Sequence, residues 1–331
     1  MTKRTSQLQK PNPHVAVVIP VHDRKDLLEA CLQSLASLDF PVKECEVIIC
    51  DDCSDDDLES VVTKFRQLIP RLKLLRQKKQ RGPAAARNAG FRSSSADIFV
   101  CLDSDVICSP RFLRELVGGL EANPAWVAAE AALVPVGGLA SPLWDAPTSS
   151  NGARYHTAGI AYRRDALFEA GGFDETFKLP ACEDVDLAAV LLKLGKIGFV
   201  KSAEVYHPRR RITLRTHWVW RKSWKYVTVL AKRYGFLAFP EHQVGPLPRL
   251  RVALAAVLTL PVGRLIEGCI YASRSPLGGI NACFYALFDL FCGICALPEI
   301  FFRHIPRRRN YLLAEPSIGT ANLEQSYTDN Q

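Results

Sequence analysis

The sequence has no N-x-S/T sequon, no N-terminal signal pattern and no uninterrupted apolar run of about 20 residues. With an odd cysteine count, eleven, these absences fit a reducing, cytosolic compartment rather than an oxidised, glycosylated one. No four-ligand zinc pattern is present. Cys50–Cys53 and Cys292–Cys295 have CxxC spacing, but the first straddles two aspartates and the second lies in an apolar run without histidine. Glycine is missing after the first apolar strand, where the chain reads Pro20-Val21-His22-Asp23-Arg24. That argues against a dinucleotide oxidoreductase, which needs GxGxxG there, and against a nucleotidyltransferase with a Gly-rich phosphate loop.

What is present is an ordinary folded composition. Hydrophobic residues make up 48% and charged residues 23% of 331 residues, enough for a large core. Cys31, Cys45, Cys50, Cys101 and Cys182 sit in apolar patterns and read as small buried hydrophobes. Net charge is +8, with runs at Arg209–Arg211 and Arg307–Arg309 that suit anionic lipid, phosphorylated substrate, nucleic acid or plain solvent.

Residues 1–13 read as a flexible leader. From His14 strands and helices alternate. Val15–Ile19, ended by Pro20, is a buried-strand run, followed by helical spacing from Leu27 to Leu38. Val47–Cys50, Leu72–Leu75 and Ile98–Leu102 are further strands, with a helix between Leu58 and Leu68. Ser109 and Pro110 occupy the cap and first-turn positions of a predicted helix. This order predicts a mostly parallel sheet flanked by helices, with ligands at the strands' carboxyl ends. Polar clusters fall on that rim: His22-Asp23, Asp51-Asp52, Asp103-Ser104-Asp105 and Glu183-Asp184. Such acidic grouping suggests a held cation.

The texture changes near residue 213. Trp218, Trp220 and Trp224 are interleaved with Arg215, Arg221, Lys222 and Lys225, a mixture suited to a membrane interface, with nucleic-acid stacking as the rival. Two apolar segments follow, Val252–Val262 and Ile280–Leu297, interrupted by Arg264, Glu267 and Asp289. They read as a spanning hairpin or an interfacial pair, with a buried helical pair of a soluble protein as the alternative. The expected division is a catalytic domain over 14–212, an aromatic and basic connector over 213–250, apolar membrane-associated helices over 251–305, and a basic then polar tail over 306–331.

Six ordered motifs, VVIPVHDR (17–24), CDDCSDD (50–56), RGPAAARNAG (81–90), CLDSDV (101–106), GGFDETF (171–177) and CEDVDLA (182–188), resemble family 2 glycosyltransferases of the GT-A fold over about 200 residues. The resemblance implies a metal-dependent, inverting enzyme that uses a nucleotide-sugar donor, UDP-sugars by family habit, with Mg²⁺ or Mn²⁺. It implies that Asp103 and Asp105 bridge the metal to the diphosphate, with Asp105 as direct ligand and His207 as a further metal or phosphate contact. It gives Asp51 and Asp52 to the nucleoside, Arg87 to the nucleotide, and the general base to Asp184 with Glu183 as fallback. At each position a structural role is the alternative: capping for Asp51, Asp52, Glu183 and Asp184, a surface cation for Arg87. His156 is a weaker candidate. The family usually has glycine where Cys53 stands, which puts that turn's conformation in question. Expected partners are a glycan or lipid-linked acceptor and membrane lipids, not nucleic acid, with the catalytic domain at the cytoplasmic face of a membrane. The competing functions are a sugar-1-phosphate nucleotidyltransferase and a non-catalytic membrane or nucleic-acid-binding protein.

Overall fold

The computed structural model describes residues 13–41, 45–138, 141, 143–234, 260–273, 275–302 and 307–312. The leader, Arg251, most of Val252–Val262 and the tail beyond residue 312 lie outside the described residues.

Ten strands are described: β1 Val15–Val21, β2 Cys45–Asp51, β3 Leu72–Arg76, β4 Ile98–Cys101, β5 Ile107–Cys108, β6 Trp126–Val136, β7 Trp144–Asp145, β8 Ile160–Arg163, β9 Lys196–Pro208 and β10 Arg210–Arg211. Eight form one sheet in the order β3-β2-β1-β4-β8-β6-β9-β5, and β10 pairs with β7. The pairs among β1 to β4 are parallel, and β6 is parallel to β9; β8 runs against both β4 and β6. Two reversals restore the direction, so β6 and β9 run with β1 to β4 and their carboxyl ends share one rim.

Alternation along β1 sends Val15, Val17 and Ile19 to one face and Ala16 and Val18 to the other, seeding two cores. Helices α1 Lys25–Ala36, α2 Leu58–Phe65 and α4 Phe112–Glu121 cover the first face. Helices α3 Pro83–Arg92, α5 Arg164–Glu169 and α6 Glu183–Leu194 cover the second. Gly90 lets α3 lie close to the sheet: a Cβ there would meet Val18 Cγ1 at 2.6 Å and Cys50 Sγ at 2.8 Å. Asn88 on α3 acts as a piece of main chain. Its side-chain amide donates to the Phe173 carbonyl at 2.8 Å and accepts from the Phe173 amide at 2.9 Å. Two motifs 85 residues apart are thereby joined.

Several boundaries differ from the sequence expectation. β1 continues through Pro20 because pairing with β4 stops at Val18, so the missing proline amide costs no ladder bond on that side. Ser109 does not open α4. Its amide is taken by the Glu204 carbonyl at 3.1 Å, and the helix begins at Phe112. The strand expected over Ile197–Lys201 runs to Pro208, because an irregular register beside β6 absorbs the polar residues and places His207 inside the strand. Cys182 is half-buried and left-handed rather than a core residue. Gly195 closes α6 in an extended conformation, not a left-handed one.

Beyond the sheet, α7 spans Leu214–Tyr234, α8 Leu260–Ala272 and α9 Pro276–Phe302. α8 runs unbroken through Arg264 and Glu267, the charges that end the apolar run. Large apolar side chains are exposed along α9 at Ile280, Phe284, Leu287, Phe291 and Ile294, a 4-3-4-3 spacing that makes one stripe, and on α8 at Val262, Ile266 and Ile270. Among the described residues no helix is long and apolar enough to cross a membrane. The side chains of Trp220, Arg221, Trp224, Arg264 and Asp289 lie outside the described part, while Trp218 is exposed on α7. The 307–312 segment returns to the sheet domain. Arg307 and Arg309 are exposed, but Arg308 turns inward, and the Tyr311 amide donates to the Gly171 carbonyl at 2.9 Å.

Candidate active site

The loop after β1 and the loop after β2 are stitched together by the acidic run at 51–57. Asp56 accepts from the Lys25 amide at 2.9 Å, capping α1 from outside, and Asp23 accepts from the Asp55 amide at 2.7 Å. Cys53 has φ +65°, the left-handed conformation that glycine would favour, so the turn survives the replacement at about 1 kcal/mol. Its neighbours hold it: Asp51 accepts from the Ser54 amide at 2.8 Å. Asp52 spends both carboxylate oxygens on the Arg81 and Gly82 amides, at 2.7 and 2.8 Å, and so fixes the entry to α3. Burial raises the Asp52 carboxyl against these bonds. Asp51 keeps Oδ2 buried, 3.3 Å from Arg76. Both aspartates therefore hold loops rather than cap a helix, the cap of α2 being Asp57, and Asp51 retains one oxygen.

Asp103 and Asp105 follow β4, and His207 ends β9. The pairing of Ile107 with Tyr206 brings these strand ends side by side. One ligand atom from each of the three residues lies within 4.8 Å of the others. His207 Nδ1 donates to the Pro208 carbonyl at 3.0 Å, leaving the Nε2 lone pair 3.7 Å from Asp105 Oδ1. Burial, aided by the nearby charge of Arg24, lowers the His207 value and favours the neutral ring that a metal requires. Two carboxylates and one neutral imidazole fit Mn²⁺ or Mg²⁺. Asp105 also faces Arg24, at 3.0 Å, and Arg210. Neither arginine was singled out from sequence for this site: Arg24 closes the first motif, and Arg210 is hidden in a basic run.

Arg87 is buried, not a surface cation. It bridges Asp103 at 2.8 Å and Glu183 at 3.1 Å, linking the carboxylates after β4 to those opening α6. Its guanidinium is raised against burial by these two charges. Glu183 is fully enclosed, and burial first, the charge of Asp184 second, push it from 4.5 up to about 7 against the opposing Arg87. Asp184 keeps part of its carboxylate open and lies 3.7 Å from His156 Nδ1. Burial works to lower His156, but the Asp184 carboxylate raises it overall.

The Glu183 shift has a checkable sign. A carboxyl raised in the folded state contributes stability that is full below about 4.5 and lost as pH climbs through about 7. Wild type should therefore lose melting temperature relative to Glu183→Gln between pH 5 and pH 8, by the equivalent of about 3 kcal/mol. Parallel curves would show that Arg87 keeps the carboxylate ionised throughout.

Residues 16–139 match the family model described as glycosyl transferase family 2. The pre-mycofactocin glycosyltransferase of Mycobacterium tuberculosis is 31% identical over 63% of this chain and 45% of its own length. Residues 16–139 thus carry the glycosyl transferase family 2 match, and the curated relatives that match the chain are glycosyltransferases. A second family relative, the GalNAc(5)-diNAcBac-PP-undecaprenol beta-1,3-glucosyltransferase of Campylobacter jejuni, is 35% identical over 28% of this chain and 30% of its own. The chain thus spans less than half the length of these curated relatives. Among solved structures, the mannosyltransferase PcManGT of Pyrobaculum calidifontis, in complex with GDP-Man and Mn²⁺, superposes with a TM-score of 0.57 at 18% identity, covering 88% of each chain. That likeness establishes the GT-A type fold.

Proposed function

We propose that the protein is a metal-dependent, inverting glycosyltransferase that moves a sugar from a nucleotide-sugar donor to an acceptor hydroxyl. The observation that carries it is the path from Asp103 through Arg87 to Glu183, which sets a cation-type site and a carboxylate pair on one rim. Asp103, Asp105 and His207 would hold a divalent cation, whose chemistry is to neutralise charge on a nucleoside diphosphate. Arg24 and Arg210, already against Asp105, are placed to meet phosphate oxygens. Asp184 accepts the acceptor hydroxyl's proton as that oxygen attacks the anomeric carbon. It stands in the first turn of α6 with its carboxylate partly open, as a base must. With one base and no second carboxylate acting as nucleophile, displacement inverts the anomeric centre. The family favours UDP donors; the GDP-Man bound to the Pyrobaculum enzyme keeps GDP in the screen.

The test is a transfer and donor-hydrolysis screen across nucleotide sugars with Mn²⁺ and Mg²⁺. Mn²⁺ with UDP or GDP should raise the melting temperature, and oligonucleotides should not. A shift with oligonucleotides alone would favour the nucleic-acid reading.

The proposed acceptor is a lipid-linked or envelope glycan, and the proposed location the cytoplasmic face of a membrane. The Campylobacter relative, named for an undecaprenol-linked acceptor, supports this, as do the exposed stripe on α9 and Trp218 beside exposed Arg215 and Lys222 on α7. Full-length protein should sediment with anionic phospholipid vesicles and be released by carbonate at high pH, the mark of in-plane attachment. Protein that stays in the supernatant at every vesicle concentration refutes attachment, and resistance to carbonate would indicate spanning.

A further inference from the structure

The first turn of α6 carries three carboxylates, Glu183, Asp184 and Asp186, and Cys182 opens the helix without a side-chain cap. Like charges so close repel, and the helix N-terminus relieves only part of that repulsion. Arg87 takes Glu183 from the sheet side. Asp186, fully buried, is taken from the opposite direction of the chain. Its Oδ1 accepts from Arg233 at 2.8 Å and from the Tyr234 hydroxyl at 2.9 Å, and its Oδ2 from Arg308 Nε at 2.8 Å. Arg308 also donates to the Ala170 and Gly172 carbonyls, so its guanidinium is fixed on three sides. Among the described residues no arginine pairs with Asp184.

We infer that Arg308 and Asp186 are positioning residues for Asp184. This rests on the glycosyltransferase reading and on Asp184 as its base. A helix whose first turn is gripped at its first and fourth residues cannot rotate, and the carboxylate between them is held toward His156 and the rim. Residues 214–234 and 307–312 are then working parts of the active site, although no residue there touches the reacting atoms.

The test compares transfer kcat and donor KM in full-length wild type, Arg308→Ala, Asp184→Asn and the double variant. Arg308→Ala should lower kcat about 10- to 100-fold with donor KM held within about twofold. The double variant should be no slower than Asp184→Asn alone, because the aim of an absent base has no further effect. Equal losses in both backgrounds, or a loss explained by donor KM, overturn the inference and leave Arg308 a stabilising residue. If Arg308→Ala does not fold, Tyr234→Phe removes one hydrogen bond from Asp186 and supports the same comparison at smaller amplitude. Wild-type turnover in Asp184→Asn would mean that the base assignment has failed, a result distinct from failure of the positioning role.

Discussion

Asp184→Asn should leave donor binding unchanged and cut turnover by about 10²–10⁴-fold. The side chain keeps its shape and its place in the first turn of α6, so the metal-type site and Arg87 are undisturbed. What the proposed mechanism would lose is the carboxylate that takes the hydroxyl proton. Glu183, its carboxyl raised to about 7 by burial, is the neighbouring candidate. Geometry decides against it: Glu183 is sealed behind Arg87, whereas Asp184 is partly open and faces His156. Steady-state transfer assays on Asp184→Asn and Glu183→Gln separate the two. A dead Glu183→Gln beside an active Asp184→Asn would move the base to its neighbour.

Asp105→Ala should abolish transfer and remove the metal-dependent gain in nucleotide affinity. Asp105 is the buried carboxylate of the trio and the one that faces His207, Arg24 and Arg210 together. Its loss would strip a candidate ligand atom and remove the carboxylate that both arginines contact, leaving Asp103 as the remaining opposing charge beside Arg210. Metal-free nucleotide binding should therefore persist or tighten while the increment from Mn²⁺ vanishes. Calorimetric titration of UDP and GDP, with and without Mn²⁺, measures both. An unchanged Mn²⁺ increment would exclude Asp105 as a ligand.

The sheet and its carboxyl rim were legible because buried parallel strands read as short apolar runs ending in polar residues. The site carboxylates stood out for the same reason: Asp51, Asp103 and Glu183 each follow such a run or open a helix. Partners distant in sequence were not legible. That Asp52 spends its oxygens on the Arg81 and Gly82 amides, or that Arg87 is buried between Asp103 and Glu183, depends on chain crossings that no local pattern encodes. Arg210 and Arg308 were lost in basic runs, since a run looks the same whether it is solvated or one member turns inward, and Arg24 passed as the end of the first motif. Ser109 starts a tight turn rather than α4 itself: its carbonyl accepts from the Phe112 amide at 3.0 Å, and the helix begins at Phe112.

Arg233 and Arg308 close on the same carboxylate, so everything the chain does between them begins and ends at one point on α6. In architectural terms that stretch is a handle fixed at both ends to a single socket. The entropy of closing such a loop grows only with the logarithm of its length. Handles of quite different size and surface could therefore be exchanged at this socket while the same chemistry stays aimed, provided each one leaves through an arginine at 233 and returns through one at 308.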